Sequence, residues 1–290
     1  MKRSRRSVAI SLFVALAVAS VFVVAIAGCS GSNDGASTSA LEGLDASQVK
    51  DNDLKTLNVG SDLYPPFVYT DEYGDIVGLD VEILTEALAR IGYKPKYQLI
   101  DWEKKKELVE NGTIDCIWGS FSMDGREEEY QWAGPYLYSR QVVAVRSDSD
   151  IRTLQDLTGK VVVVQSTTKP EELFLNAEQN GLPRLRRLYS LQNRDLLYTT
   201  LLKGYADALA AHESAIRQFM KDYSVEYRIL DEPLLITGIG AAFSVDDDRG
   251  LAQELMDTFA QMRQDGTMQE IVGRYLEHPE TYLEGECLEP

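Results

Sequence analysis

Two textures divide the chain. Residues 7–28 form one uncharged, mostly apolar run behind four cations, Lys2, Arg3, Arg5 and Arg6. From Leu54 onward, short apolar runs alternate with stretches whose apolar residues recur at helical spacing. Leu57–Gly60 predicts a strand leading into a Pro-Pro loop, and Phe67–Val77 a hairpin across Asp71–Gly74. Asp80–Ile91 predicts an amphipathic helix, because Val81, Leu84, Leu88 and Ile91 share one face and Gly92 stops it. Lys96–Ile100 reads as a strand, Glu103–Asn111 as a helix, Ile114–Trp118 as a buried strand and Val142–Arg146 as another strand.

The pattern then restarts. Val161–Val164 is four valines in a row, the composition of a strand covered on both faces. Thr168 predicts a helix start with Glu171 as its capping-box partner and Pro170 in the first turn, and Gly181 an end. Asp195–Leu202 and Glu213–Lys221 read as helices around a strand at Ala206–Ala211. A strand at Ala241–Phe243 and helices at Leu251–Gln264 and Met268–Leu276 complete the series. Gly112-Thr113-Ile114-Asp115 and Gly204-Tyr205-Ala206-Asp207 each follow a helix and precede a buried strand. That echo predicts two similar α/β units, with a ligand held where the strand ends of both meet.

The apolar run closes on Ile26-Ala27-Gly28-Cys29, which resembles the lipobox of bacterial lipoproteins, and Ser30–Ser39 is a polar tether. The expectation is export, cleavage before Cys29 and a lipid on that cysteine. An uncleaved membrane span is the competing reading, since about 20 apolar residues suffice. Both place the remainder outside the cytoplasm, because the cationic end stays inside.

With four of the 29 positive charges ahead of Cys29, 25 face 46 acidic residues beyond it, a net charge of -21. Such a chain is a poor partner for nucleic acid. The two histidines, His212 and His278, argue against a Ser-His-Asp hydrolase or a histidine-rich metal site. Glycine-rich nucleotide cradles are missing from the sequence, and Asp246-Asp247-Asp248 lacks the spacing of a calcium loop. Cys116 lies in an apolar run and Cys287 in a polar tail, so a bridge between them has no sequence support. No cofactor and no metal is expected.

Read in order, several segments resemble the family 3 extracellular solute-binding proteins, the polar amino acid family. Leu57–Phe67 resembles the family's opening and Gly78–Ile83 its first helix. Asp101-Trp102 resembles its aspartate–tryptophan turn, and Gly119–Ser122, Arg126 and Trp132–Tyr136 its binding loop and the segment after it. Leu154–Lys160 and Gln165–Thr168 resemble the start of its second lobe. The resemblance implies an α/β, two-lobed periplasmic-binding-protein-like fold of type II, with lobes joined by two hinge strands. It implies a leader at 1–28, a tether at 29–53, lobe 1 from 54–146 plus 236–290 and lobe 2 from 147–235. The crossings would fall near Val143–Arg146 and Leu234–Gly238.

On that resemblance Arg126 would fork onto a ligand carboxylate, with Ser120, Ser122, Thr167 and Thr168 as further donors. On position alone, Arg126 reads equally as a surface partner of Glu127–Glu129 and Thr168 as a plain helix cap. Tyr64, Trp102 and Phe121 would wall the side chain or face a cation, ordinary core packing being the alternative. The aspartate that holds the ligand ammonium in the family falls on His212 here, with Glu213 next to it as the alternative partner. The segment between Ser122 and Arg126 is also one residue shorter than the family pattern.

The implied function is the substrate-binding receptor of an ABC importer, a monomer that closes on an amino acid or related carboxylate and docks on a permease. Two alternatives remain open at this level. One is a cyclohexadienyl-dehydratase-like enzyme with Glu213 or Asp62 as general acid. The other is a solute sensor for a separate membrane kinase.

Overall fold

The computed structural model describes residues 54–285. The leader, Cys29, the tether and Cys287 lie outside those residues. In chain order the strands and helices are β1 (Lys55–Ser61), β2 (Tyr69–Thr70), β3 (Ile76–Val77), α1 (Leu79–Arg90), β4 (Tyr93–Leu99), α2 (Lys105–Glu110), β5 (Cys116–Ser122) and β6 (Gln131–Arg146). They continue with β7 (Val161–Gln165), α3 (Lys169–Leu175), β8 (Arg187–Leu191), α4 (Asp195–Leu202), β9 (Ala208–His212), α5 (Glu213–Tyr223), β10 (Tyr227–Ile229) and β11 (Leu235–Phe243). Helices α6 (Leu251–Gln264), α7 (Thr267–Tyr275) and α8 (Pro279–Leu283) close the described chain.

Hydrogen bonding orders the main sheet β4-β1-β5-β11-β6-β9-β7-β8, with β10 added on β6. Strands β4, β1 and β5 are parallel, as are β9, β7 and β8. Between these two parallel sets run the antiparallel β11 and β6. Gln141 is where β6 changes partner, pairing with Leu235 of β11 and with His212 of β9. This is the two-lobed α/β architecture, with two long strands carrying the chain across.

Each parallel set has its own core. Leu57, Val59, Trp118 and Phe243 pack with Leu84, Leu88, Phe259 and Val272 from α1, α6 and α7. In the other half, Val161 and Val163 face Leu197, Leu201 and Ile216, while Val162 and Val164 face Leu157 and Phe174. The alternation of one valine run between two clusters shows why it lacks a polar face: helices cover both sides. Cys116 is a buried free thiol whose pKa burial pushes far up.

Several predicted elements change extent. The strand expected at Val142–Arg146 begins at Gln131, because main-chain pairing with β11 holds Gln131–Gln141 whatever their polarity. Likewise β11 begins at Leu235 rather than Ala241. The helix expected to reach Gly181 ends at Leu175. Its predicted capping box does not form: the Thr168 hydroxyl donates to the Gln165 carbonyl at 2.6 Å, and Glu171 accepts the Thr167 N–H at 2.6 Å. Strands β8 and β10 and helix α8 carry no clear periodicity and escape the sequence pattern.

Candidate functional site

The carboxyl ends of β1, β5, β7 and β9 converge on one cleft. This is where an open α/β sheet leaves main-chain donors and loop side chains unpaired. Nine of the ten binding residues expected from sequence line it: Tyr64, Trp102, Ser120, Phe121, Ser122, Arg126, Thr167, Thr168 and His212. The structure therefore brings together groups separated by up to 148 residues.

The β5 end is built by close approach. A Cβ on Gly119 would stand 2.3 Å from Ser61 Oγ, so a larger residue there would have to displace that hydroxyl. Ser120 then takes a left-handed conformation, φ 50°, uncommon for a residue with a Cβ. Its N–H donates at 2.6 Å to Oδ2 of Asp80, a fully buried carboxyl in the first turn of α1. Burial raises the Asp80 pKa to about 7, against the opposing pull of that hydrogen bond. The Ser120 hydroxyl is buried and has no partner.

Arg126 sits in the turn after β5. Its Nη1 donates to the Ser122 carbonyl at 3.2 Å, and its guanidinium lies 5.2 Å from the Phe121 ring centroid. The neighbouring glutamates are not its partners: Glu129 pairs with Lys106, and Arg126 reaches Glu172 of α3 only at 3.5 Å. With 12% of its side chain exposed, it stands at the cleft wall with capacity to take a carboxylate.

Across the cleft, Thr167 also has a positive φ, 56°, and its hydroxyl and carbonyl accept from Lys105 Nζ at 2.9 and 3.2 Å. Lys105 is 5% exposed, and burial, with Arg126 nearby, lowers its pKa to about 7. The aromatic walls are packed as well as placed. Trp102 meets Phe121 edge-on at 5.4 Å, and both are buried.

His212 ends β9 in full burial. Burial first, and Arg194 second, push its pKa down to about 3, so the ring is neutral. Gln141 Nε2 stands 2.8 Å from His212 Nε2, and Ser139 Oγ stands 2.8 Å from His212 Nδ1. With the glutamine amide donating, Nδ1 carries the ring proton and donates to Ser139. The His212 main-chain N–H donates to the Tyr64 hydroxyl at 3.1 Å.

Glu213 is a correction. It is the first residue of α5 and does not line the cleft. The turn from β9 into the helix aims its carboxylate at Arg140, 3.0 Å away on β6, and at Arg217, 2.5 Å away one helical turn on. Its carboxylate is therefore shared by two arginines. Asp62, the other candidate acid, is held by Arg194 at 2.9 and 3.2 Å and by the Gln165 amide at 2.7 Å.

Sequence reasoning missed several groups that shape the cleft. Arg194, at the entry to α4, lies with its guanidinium carbon 3.4 Å from the Tyr64 centroid and 5.8 Å from that of Trp102. Gln141 and Gln165, 2% and 3% exposed, each keep a buried Oε1 without a partner. Lys169 lines the cleft and pairs with Glu172 at 2.5 Å. Only Gln165 carried a signal in the sequence, its place at the end of the valine run.

The comparisons with known proteins agree with this geometry. The family model for bacterial extracellular solute-binding proteins, family 3, matches residues 57–278. The histidine-binding periplasmic protein of Escherichia coli (strain K12) is 30% identical over 234 residues, 77% of this chain and 88% of that protein. The crystal structure of Tv2483 bound to L-arginine is 27% identical with a TM-score of 0.69, covering 76% of this chain and 90% of that one. A substrate binding protein of an ABC uptake transporter from Streptococcus pneumoniae, with bound histidine, shares the fold at a TM-score of 0.71 and 22% identity, covering 76% of this chain and 92% of that one.

Proposed function

The chain belongs to the bacterial extracellular solute-binding proteins, family 3, and on that premise we propose that it is the receptor of an ABC importer for an amino acid or a related small carboxylate. The observation that carries the reading is Arg126 at the wall of a cleft between converging strand ends, whose lining also includes Ser120 with its buried, unpartnered hydroxyl. A guanidinium with a planar fork, in a largely desolvated site, matches a carboxylate.

In this proposal residues 54–146 and 236–290 form one lobe and 147–235 the other. The ion pair from Asp62 to Arg194 and the bonds from Lys105 to Thr167 cross the cleft and belong to the closed state. Ligand favours closure by touching both sides at once. The closed monomer would dock on the permease, and lipid on Cys29 would hold it at the membrane. Among the described residues no helix is long and apolar enough to cross a membrane. We take the chain to bind and not to catalyse, since both candidate acids of the cleft region are occupied by arginines.

The test is a thermal-unfolding screen of the full-length chain with the twenty amino acids, cystine, ornithine and small carboxylic acids. A micromolar ligand at millimolar concentration adds about 4 kcal/mol to folded stability. A raised midpoint with one of these compounds supports the proposal, and an unchanged midpoint with all of them contradicts it. Replacing Cys29 with serine should move the protein from the membrane to the soluble fraction; retention at the membrane would contradict the lipid anchor.

A further inference from the structure

Four tyrosine, tryptophan and phenylalanine rings line this cleft; Tyr198 is stacked on Phe219 at 4.0 Å, and each of the other three already has a cation of the protein's own beside it. The Arg194 guanidinium covers Tyr64 at 3.4 Å and approaches Trp102 at 5.8 Å. Lys105 Nζ lies 4.9 Å from Trp102 and 5.6 Å from Phe121, and Arg126 lies 5.2 Å from Phe121. A ring face that holds one cation has little left to attract a second, and the two like charges repel. A cationic ligand side chain therefore meets filled positions at Tyr64, Trp102 and Phe121.

The charges of the lining point the same way. Arg126, Lys169 and Arg194 line the cleft, and among the described residues no aspartate or glutamate does. Asp62 compensates Arg194 from behind, and Glu172 is shared between Lys169 and Arg126. Lys105, whose pKa burial lowers to about 7, donates to the Trp102 carbonyl and to Thr167 and adds at most part of a charge. The ring at the end of β9 is neutral, and the unpartnered oxygens of Gln141 and Gln165 are uncharged acceptors. The site carries more positive charge than its own carboxylates offset, in a chain whose net charge is -17. Asp62 takes Nε and Nη2 of Arg194.

Resting on the carboxylate-binding reading above, we propose that the ligand is a small dicarboxylate of net negative charge, one carboxylate on Arg126 and the other facing Arg194, and that Arg194 excludes basic amino acids. Two sources share that chemistry, an acidic amino acid and a dicarboxylate without an amino group. The glutamine oxygens would receive an ammonium if one is present.

The experiment is calorimetric titration of the full-length chain in detergent with L-glutamate, L-aspartate, succinate and 2-oxoglutarate. L-glutamine, L-asparagine, L-arginine, L-lysine and L-histidine form the comparison. The expected result is that at least one dicarboxylate binds tenfold or more tightly than every neutral or basic compound. Glutamate or aspartate ahead of the amino-free acids identifies the first source, and the reverse order the second. A neutral or basic amino acid as the tightest ligand overturns the inference and leaves the receptor reading standing. If none of the nine binds, the inference falls, and the broader screen decides the receptor reading separately.

Arg194→Ala supplies the second arm. It leaves the Asp62 carboxylate behind an open slot between Tyr64 and Trp102, so L-arginine should bind at least tenfold more tightly than to the wild type, and the dicarboxylate more weakly. Arg194→Met, which keeps the volume and removes the charge, should lose the dicarboxylate without admitting arginine. An unchanged order of affinities in both folded variants would overturn the role given to Arg194.

Discussion

Replacing Asp80 with asparagine should change how stability depends on pH while leaving the fold intact. Asp80 is wholly buried, accepts the Ser120 N–H at 2.6 Å and lies against the Tyr136 hydroxyl. Asparagine keeps an acceptor for Ser120 and adds a donor toward that hydroxyl. Burial raises the folded pKa from the usual 3.8 to about 7. Between those values the folded protein keeps a proton that the unfolded chain has released, so stability falls as pH rises. The contribution is whole below about pH 4 and lost as pH passes about 7. The gap corresponds to on the order of 4 kcal/mol. Urea unfolding of wild type and Asp80→Asn at pH 4.5, 6 and 8 measures it. The variant's stability relative to wild type should climb by several kcal/mol across that range. A constant difference between the two proteins would refute the reasoning, because it would mean that Asp80 titrates alike folded and unfolded.

Lys105→Met should show a pH effect tied to a buried base. Burial holds the folded pKa near 7, so the cost of the charge is whole below pH 7 and relieved as pH rises toward 10.5; the variant's advantage in urea unfolding should therefore shrink between pH 6 and pH 10, and an advantage independent of pH would contradict this. Ser120→Gly removes the strain of a left-handed serine, worth about 1 kcal/mol, and also a cleft hydroxyl, so the unfolding midpoint should rise while ligand affinity falls; a lower midpoint would count against the strain. Asp62→Asn leaves the Arg194 guanidinium buried without its carboxylate and should cost about 3 kcal/mol in denaturant unfolding; a loss within 0.5 kcal/mol, the range of an ordinary surface change, would show that the pair is not held closed in solution.

What could be read from the sequence follows from what is local. The valine run at 161–164 and the apolar run at 114–118 declare buried strands because both faces are covered. β8 has mixed exposure along Arg187–Leu191 and sits at the sheet edge, so no period marks it. The long β6 shows only its apolar end, since pairing with β11 carries the rest. The cleft residues were legible because their motifs come in a recognisable order. Arg194 was not: its role depends on Asp62, 132 residues away, and on a ring from the other half of the molecule. Glu213 misled for the opposite reason. It neighbours His212 in sequence, but the chain turns from strand to helix between them and sends the carboxylate to Arg140 and Arg217.

The central claim is that this cleft holds a carboxylate on Arg126. Calorimetric titration of wild type, Arg126→Lys and Arg126→Ala with the tightest ligand from the screen tests it most directly, alongside the unfolding midpoint of each protein without ligand. Lysine keeps the charge but not the fork, so affinity should fall in the order wild type, lysine, alanine, with at least a hundredfold loss for alanine and little change in the ligand-free midpoints. An alanine variant that remains folded and binds as tightly as wild type would contradict the account.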